Sequence, residues 1–167
     1  QTCALPISKE NIFNVLSNYI NFEGISVLDL FSGTGSISYE FASRGANEII
    51  AVELNYNHFA FIKRMSKELG FRNLKVYKTD MFMACQKLKG RKFDLIFADP
   101  PYNLPSIQQV PLSIFENDLL TENGIAVIEH PASVDYSALP YFYERRKYGS
   151  VNFSLFRKKA PGNSCEE

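Results

Sequence analysis

Apolar residues along the chain switch between two spacings. Ile12, Phe13, Leu16 and Ile20 share one helical face, and Ser8 can cap a helix through Asn14 and beyond. Residues 25–30 (ISVLDL) are a short apolar run that ends in an acid and then Ser-Gly-Thr-Gly, the pattern of a buried strand entering a tight turn. A helix is predicted over 36–44 with Gly45 closing it, a strand over 48–52 with Glu53 at its end, and a helix over 55–69 closed by Gly70. Residues 74–78 alternate as a strand near a sheet edge would, and a short helix follows from Met81 to about Lys89. Residues 93–98 (FDLIFA) form a second buried strand, followed by a helix over 107–117 and a strand over 125–129. Two alternating segments, 141–148 and 151–157, meet at Gly149-Ser150, a two-residue hairpin signal. The order is a helix, four strand–helix units, a fifth strand and a closing hairpin, which predicts a mostly parallel sheet covered on both faces. The hairpin is expected to put an antiparallel strand at one end of that sheet.

Composition narrows the class. The chain has 167 residues, 46% of them apolar, enough for one domain with a full core. Eighteen basic residues balance eighteen acidic ones, so any nucleic-acid partner must be held by a local patch rather than a global field. No apolar run approaches the ~20 residues that cross a bilayer, and no basic-then-apolar leader opens the sequence. Cys3, Cys85 and Cys165 stand far apart, and with two histidines they make neither a disulfide framework nor a metal-ligand set. A cytoplasmic protein without metal or membrane partner is expected.

The first chemical motif is Asp29-Leu30-Phe31-Ser32-Gly33-Thr34-Gly35. The strand delivers it to the carboxyl edge of the sheet, where ligands bind in open α/β folds. Gly33 and Gly35 let backbone turn sharply and lie against a ligand. A dinucleotide fingerprint would place a third glycine where Ser38 stands, and Asp29 would repel a pyrophosphate. S-adenosylmethionine, with a sulfonium, an ammonium and no phosphate, suits the acid better, although a bare tight turn would also use these glycines. Glu53 can accept both ribose hydroxyls of an adenosine, or be a solvated strand-end acid. Asp80 can accept from an adenine amino group with the Met81 N–H facing the ring, or simply cap a helix.

The second motif is Asp99-Pro100-Pro101-Tyr102. An exocyclic purine amine is a poor nucleophile because its lone pair is delocalised into the ring. The Asp99 carboxylate and the Pro100 carbonyl can accept its two N–H bonds and favour the pyramidal nitrogen of the transition state. The prolines fix φ and remove competing donors, and Tyr102 offers a face on which a base can stack. The plainer reading is a proline-rich turn with Asp99 as a cap and Tyr102 packed.

Together these stretches resemble the amino-group methyltransferases of class I, and within them the RsmD family of bacterial ribosomal RNA guanine-N2 methyltransferases. The resemblance runs over residues 9–159 and rests on KENIFN at 9–14, VLDLFSGTGSIS at 27–38, VELN at 52–55, FADPPY at 97–102 and IEH at 128–130. It implies a Rossmann-like three-layer α/β/α sandwich whose seven-stranded, mostly parallel sheet has one antiparallel strand from the C-terminal hairpin. It implies S-adenosylmethionine as cofactor, held at Asp29, Phe31, Ser32, Gly33, Thr34, Gly35, Glu53, Leu54, Asp80 and Met81. Catalysis is assigned to Asp99, Pro100, Pro101 and Tyr102, and the substrate to one guanine of small-subunit ribosomal RNA on a nearly assembled particle. A monomer is expected. The family's basic, Arg-Pro-Thr-containing start has no match in residues 1–8 (QTCALPIS), which are expected to be non-native or a truncated N-terminus, with 160–167 a C-terminal tail.

Arg145, Arg146, Lys147, Arg157, Lys158 and Lys159 on the hairpin are the candidate phosphate contacts, or else charges that keep strand ends soluble. His58 is expected to pack on its helix stripe, and His130 to lie near the site rim. Three other readings fit parts of the pattern. A DNA adenine-N6 methyltransferase also uses such a proline turn but needs a target-recognition region for which 167 residues leave no room. A non-catalytic cofactor- or RNA-binding remnant would have little use for the intact Asp-Pro-Pro-Tyr. A nicotinamide oxidoreductase is opposed by Ser38 and Asp29.

Overall fold

The computed structural model describes residues 5–158; Lys159 and the proposed tail at 160–167 lie outside the described residues, as do residues 1–4. Helix α1 (Ile7–Leu16) is followed by β1 (Ser26–Asp29), α2 (Ser36–Ser43), β2 (Glu48–Glu53), α3 (Tyr56–Glu68), β3 (Leu74–Lys78), α4 (Met81–Lys87) and β4 (Phe93–Ala98). Then come α5 (Gln109–Glu116), β5 (Leu120–His130), β6 (Phe142–Tyr148) and β7 (Val151–Phe156). The seven strands form one sheet in the order β3-β2-β1-β4-β5-β7-β6. Its pairs are parallel except for β5–β7 and β7–β6. Strand β7 is therefore the antiparallel one and lies one place in from the edge, while β6 forms the edge and runs with the other five.

Successive strand residues point to opposite faces, and both faces are apolar. Val27, Ile49, Ala51, Leu95 and Phe97 pack with Ile12, Phe13, Ile37, Phe41 and Ile62 from α1, α2 and α3. Leu28, Ile50, Ile96, Ala98 and Ile128 pack with Met81, Cys85, Val110 and Ile114 from α4 and α5. This double cover explains why the central strands read as unbroken apolar runs.

Local differences from the sequence reading have local causes. Helix α1 begins ahead of Ser8, because the Pro6 carbonyl accepts from the Lys9 and Glu10 N–H groups and no side chain caps it. Strand β5 starts five residues early, at Leu120, and 121–124 bulge outward before pairing with β4 resumes at Ile125. Gly124 sits in that bulge, where a Cβ would lie 2.7 Å from the Thr121 hydroxyl. His58 is exposed rather than packed. Among the described residues no helix is long and apolar enough to cross a membrane.

Candidate active site

Order reverses between β1 and β4: the chain works outward from β1 through β2 to β3, then returns to β4 on the other side. Such a switch point opens a crevice at the carboxyl ends of the strands. Asp29, Glu53, Asp80, Asp99 and Glu129 all stand at or just beyond those ends.

The glycine turn is built around carboxylates. Asp29 is fully buried; one oxygen accepts from Ser38 Oγ at 2.7 Å, and Oδ1 has no donor. Burial pushes its carboxyl up to about 6, against the pull of the Ser38 hydroxyl and Lys9. Ser38, in the position where a dinucleotide fingerprint would have glycine, thus holds the acid in place. Gly35 adopts φ +88° at the head of α2, and a Cβ there would meet the Tyr39 ring at 2.7 Å. Ser32 ties the turn together, its Oγ donating to the Asp29 carbonyl and its own carbonyl accepting from Gly35 N–H. Glu53 accepts from the Gly33 and Asn55 N–H groups at 2.7 and 2.9 Å, one through each oxygen. Those bonds aim the carboxylate while leaving lone pairs for a ligand's hydroxyls. Asp80 caps α4 through Oδ1, which accepts from Phe82 and Met83 N–H.

Glu53 and Asp80 border a cleft of about 620 Å³. Phe31, Glu53, Leu54, Asp80, Met81 and Pro101 line it, whereas Asp29, Ser32, Gly33, Thr34, Gly35, Asp99, Pro100 and Tyr102 are not among its lining residues. No Lys or Arg is among the lining residues. A phosphate-bearing ligand would find two carboxylates and no cation there, whereas an adenosine with a cationic tail fits both the apolar walls and the charge. The donorless Asp29 oxygen and the glycine at position 35 point the same way.

Beside the proline turn stand two groups to which the sequence reading gave no role, although both lie in stretches that carry the resemblance, at 9–14 and 128–130. Lys9, from α1, bonds Asp99 Oδ2 at 2.7 Å. Burial works against its ammonium, but the charge of Asp99 and the hydrogen bond to it leave Lys9 raised overall. Glu129, at the end of β5, is 8% exposed and accepts from Tyr102 Oη at 2.9 Å, while its Oε2 has no donor. Burial and then the neighbouring Asp99 charge push its carboxyl up to about 7. Burial and the bond to Glu129 raise the Tyr102 phenol. Tyr102 stays 45% exposed despite that bond. Glu129 could have been found by the rule that drew attention to Asp29, Glu53 and Asp99, an acid ending an apolar strand. Lys9 gives no such signal, because its partner is 90 residues away.

The hairpin's basic residues divide. Pairing of His130 and Lys147 with Asn152 brings one end of β6–β7 to the site rim, while Arg157 and Lys158 lie toward the opposite end of β5. Arg145 donates twice to Asn152 Oδ1, Arg146 pairs with Glu144, Arg157 lies over the Tyr19 and Tyr143 rings, and Lys158 pairs with Asp118. Lys147 is exposed on the rim side. His130 is fully buried, bonded to Ser154 Oγ and the Pro131 carbonyl, with burial lowering its pKa. Among the described residues no cluster could hold a metal ion.

The reversed strand order, the glycine turn and the acid-lined, cation-free cleft define a class I S-adenosylmethionine-dependent methyltransferase. More narrowly, residues 6–157 match the family described as "Conserved hypothetical protein 95", and the chain belongs to that family, the RsmD-type methyltransferases. It is 30% identical over 90% of its length to YlbH of Bacillus subtilis, whose name assigns it provisionally to rRNA methylation, and it covers 84% of that protein. It is 25% identical to ribosomal RNA small subunit methyltransferase D of Buchnera aphidicola, covering 89% of this chain and 76% of the relative. Among solved structures, a conserved hypothetical protein of Streptococcus pyogenes superposes with a TM-score of 0.76 at 29% identity, over 89% of this chain and 94% of that one. An RNA methyltransferase from Salinibacter ruber, in complex with S-adenosyl-L-homocysteine, shares the fold with a TM-score of 0.69 at 16% identity, over 98% and 99% of the two chains.

Proposed function

We propose that this protein methylates the exocyclic N2 amine of a guanine in small-subunit ribosomal RNA. The observation that carries the reading is that Asp99 and Tyr102 adjoin, through Pro101, the cleft lined by Glu53 and Asp80. A donor in that cleft and a base against the proline turn are then neighbours. Bound there, S-adenosylmethionine would supply an electrophilic sulfonium methyl for transfer to the amine.

The chain's own work is binding and alignment. Phe31, Leu54 and Met81 give the adenosine an apolar slot, Glu53 takes its ribose hydroxyls, and Asp80 and the Met81 N–H address its base edge. Asp29, buried behind the glycine turn, supplies negative charge that favours the cationic end of the donor. Asp99 and the Pro100 carbonyl accept the two amine N–H bonds, so the nitrogen lone pair is freed from the ring and aimed at the methyl. Tyr102 stacks on the flipped-out base. The nitrogen, once alkylated, is acidic enough to pass its proton to Asp99 or water without a strong base. Lys147, exposed at the rim end of the hairpin, is available for a phosphate contact with a nucleic-acid substrate. The relatives named for small-subunit rRNA methylation support the choice of RNA.

The test is to incubate the protein with labelled S-adenosylmethionine and undermethylated small subunits, then identify the modified nucleoside by mass spectrometry. N2-methylguanosine is expected. Recovery of N6-methyladenosine alone, or of label in duplex DNA and not in RNA, overturns the reading.

A further inference from the structure

Glu129 is a second carboxylate in the base site, and neither the donor nor the amine accounts for it. It is 8% exposed, near enough to Asp99 to feel that carboxylate's charge, and fixed through Oε1 by the Tyr102 hydroxyl. Its Oε2 is buried without a donor. Leaving a buried carboxylate oxygen unpaired is costly, and a protein keeps such an atom where a ligand supplies the missing hydrogen. A base held at the proline turn is the ligand that could bring that hydrogen.

The reacting edge of guanine carries two adjacent donors, the N2 amine and the N1–H. Adenine carries an amine beside N1, which is an acceptor. With Asp99 holding the amine, the next atom along the edge meets the Glu129 carboxylate: a hydrogen bond for guanine, a repulsion between lone pairs for adenine. We propose that Glu129 is the specificity-determining residue of this site, accepting the N1–H of the target guanine through Oε2 and thereby rejecting bases with an unprotonated N1. This rests on the guanine-N2 reading above. The carboxyl's raised pKa, from burial and the Asp99 charge, fits a group whose ionised form is completed by an incoming donor.

2-Aminopurine separates this role from the chemistry, because it keeps the amine at C2 but has no hydrogen on N1. Small subunits are reconstituted with guanine or 2-aminopurine at the position that methyl mapping identifies, and kcat/KM is measured for wild type, Glu129→Gln and Tyr102→Phe. Wild type should prefer guanine by about a hundredfold, since a site built around a hydrogen bond strongly rejects the analogue lacking it. Glu129→Gln, whose amide can donate to a bare N1, should bring the preference to about tenfold or less. Tyr102→Phe keeps the carboxylate and should keep most of the preference. If Glu129→Gln turns over neither substrate, affinities of the two particles in the presence of S-adenosylhomocysteine read the same ratio. An unchanged ratio in a Glu129→Gln protein that still binds S-adenosylhomocysteine overturns the role of Glu129 and leaves guanine-N2 methylation standing. A wild-type protein that methylates adenine and not guanine removes both together.

Discussion

Among the described residues Lys9 is the cation that bonds Asp99 directly, and its removal has a calculable effect. Nζ lies 2.7 Å from Asp99 Oδ2, and its charge also lowers the pKa of Asp29 and Glu129. Opposite unit charges near 4 Å interact by about 4 kcal/mol at an effective dielectric of about 20. The two partners are 17% and 26% exposed, so solvent screening discounts that figure, and Glu129 feels a more distant charge than Asp99 does. A remainder of about 1 kcal/mol at Glu129 corresponds to somewhat under one pH unit. Lys9→Met should therefore move the acid limb of the pH–rate profile, set by ionisation of a group near 7, upward by about half to one unit. Lys9→Arg, which keeps the charge, should leave the limb near its wild-type position. The assay is methyl transfer to small subunits from pH 5.5 to 9 at saturating S-adenosylmethionine, with S-adenosylhomocysteine affinity as the control for an intact cleft. Coincident profiles for Lys9→Met and wild type, with that affinity unchanged, would refute the electrostatic reasoning.

Three further expectations follow from the same geometry. Gly35→Ala forces a side chain into left-handed backbone and against the Tyr39 ring, and should cost about 1–3 kcal/mol in denaturant unfolding together with most S-adenosylhomocysteine binding; a variant that binds normally would contradict the turn's role. Glu53→Ala removes both the ribose acceptor and the restraint on the Gly33 and Asn55 N–H groups, so calorimetry should find S-adenosylhomocysteine affinity down about tenfold to a hundredfold. For stability against pH, Glu129 carries a folded pKa of about 7 against 4.5 in the unfolded chain, so the native state binds the extra proton between those values. Wild type then gains stability as pH falls through that window, and Glu129→Gln does not. Scanning calorimetry should find Glu129→Gln stabilised relative to wild type at pH 8, on the order of 1–3 kcal/mol, with the advantage fading by pH 5; a constant difference would contradict the burial of an ionised group.

Much of this architecture could be read from the sequence because its signals are local. The run 93–98 is apolar throughout because β4 is covered on both faces, and the alternation at 74–78 reflects an edge strand. Asn55 and Asp80 announce the helices that they cap. Long-range facts were not written locally. Whether β6 or β7 inserts next to β5 depends on which strand's apolar residues meet those of β5, and Leu155 against Val127 with Phe156 against Ala126 decide it for β7. The charges of 145–158 look like one patch in sequence, yet the strand pairing separates Arg145 and Lys147 from Arg157 and Lys158, and several find partners in distant segments such as Asp118 and Tyr19. His130 looks like a rim residue until Ser154 closes over its ring. The approach of Lys9 to Asp99 belongs to this group as well: it is a product of α1 packing across the sheet.

The most direct measurement of the central claim is Asp99→Ala, assayed separately for donor binding and for transfer. If one rim holds the donor in the cleft and the base at the proline turn, S-adenosylhomocysteine affinity should stay within about threefold of wild type while kcat falls by about a thousandfold or more. Turnover that survives the substitution, or affinity that collapses with it, would contradict the division of labour between the two loops.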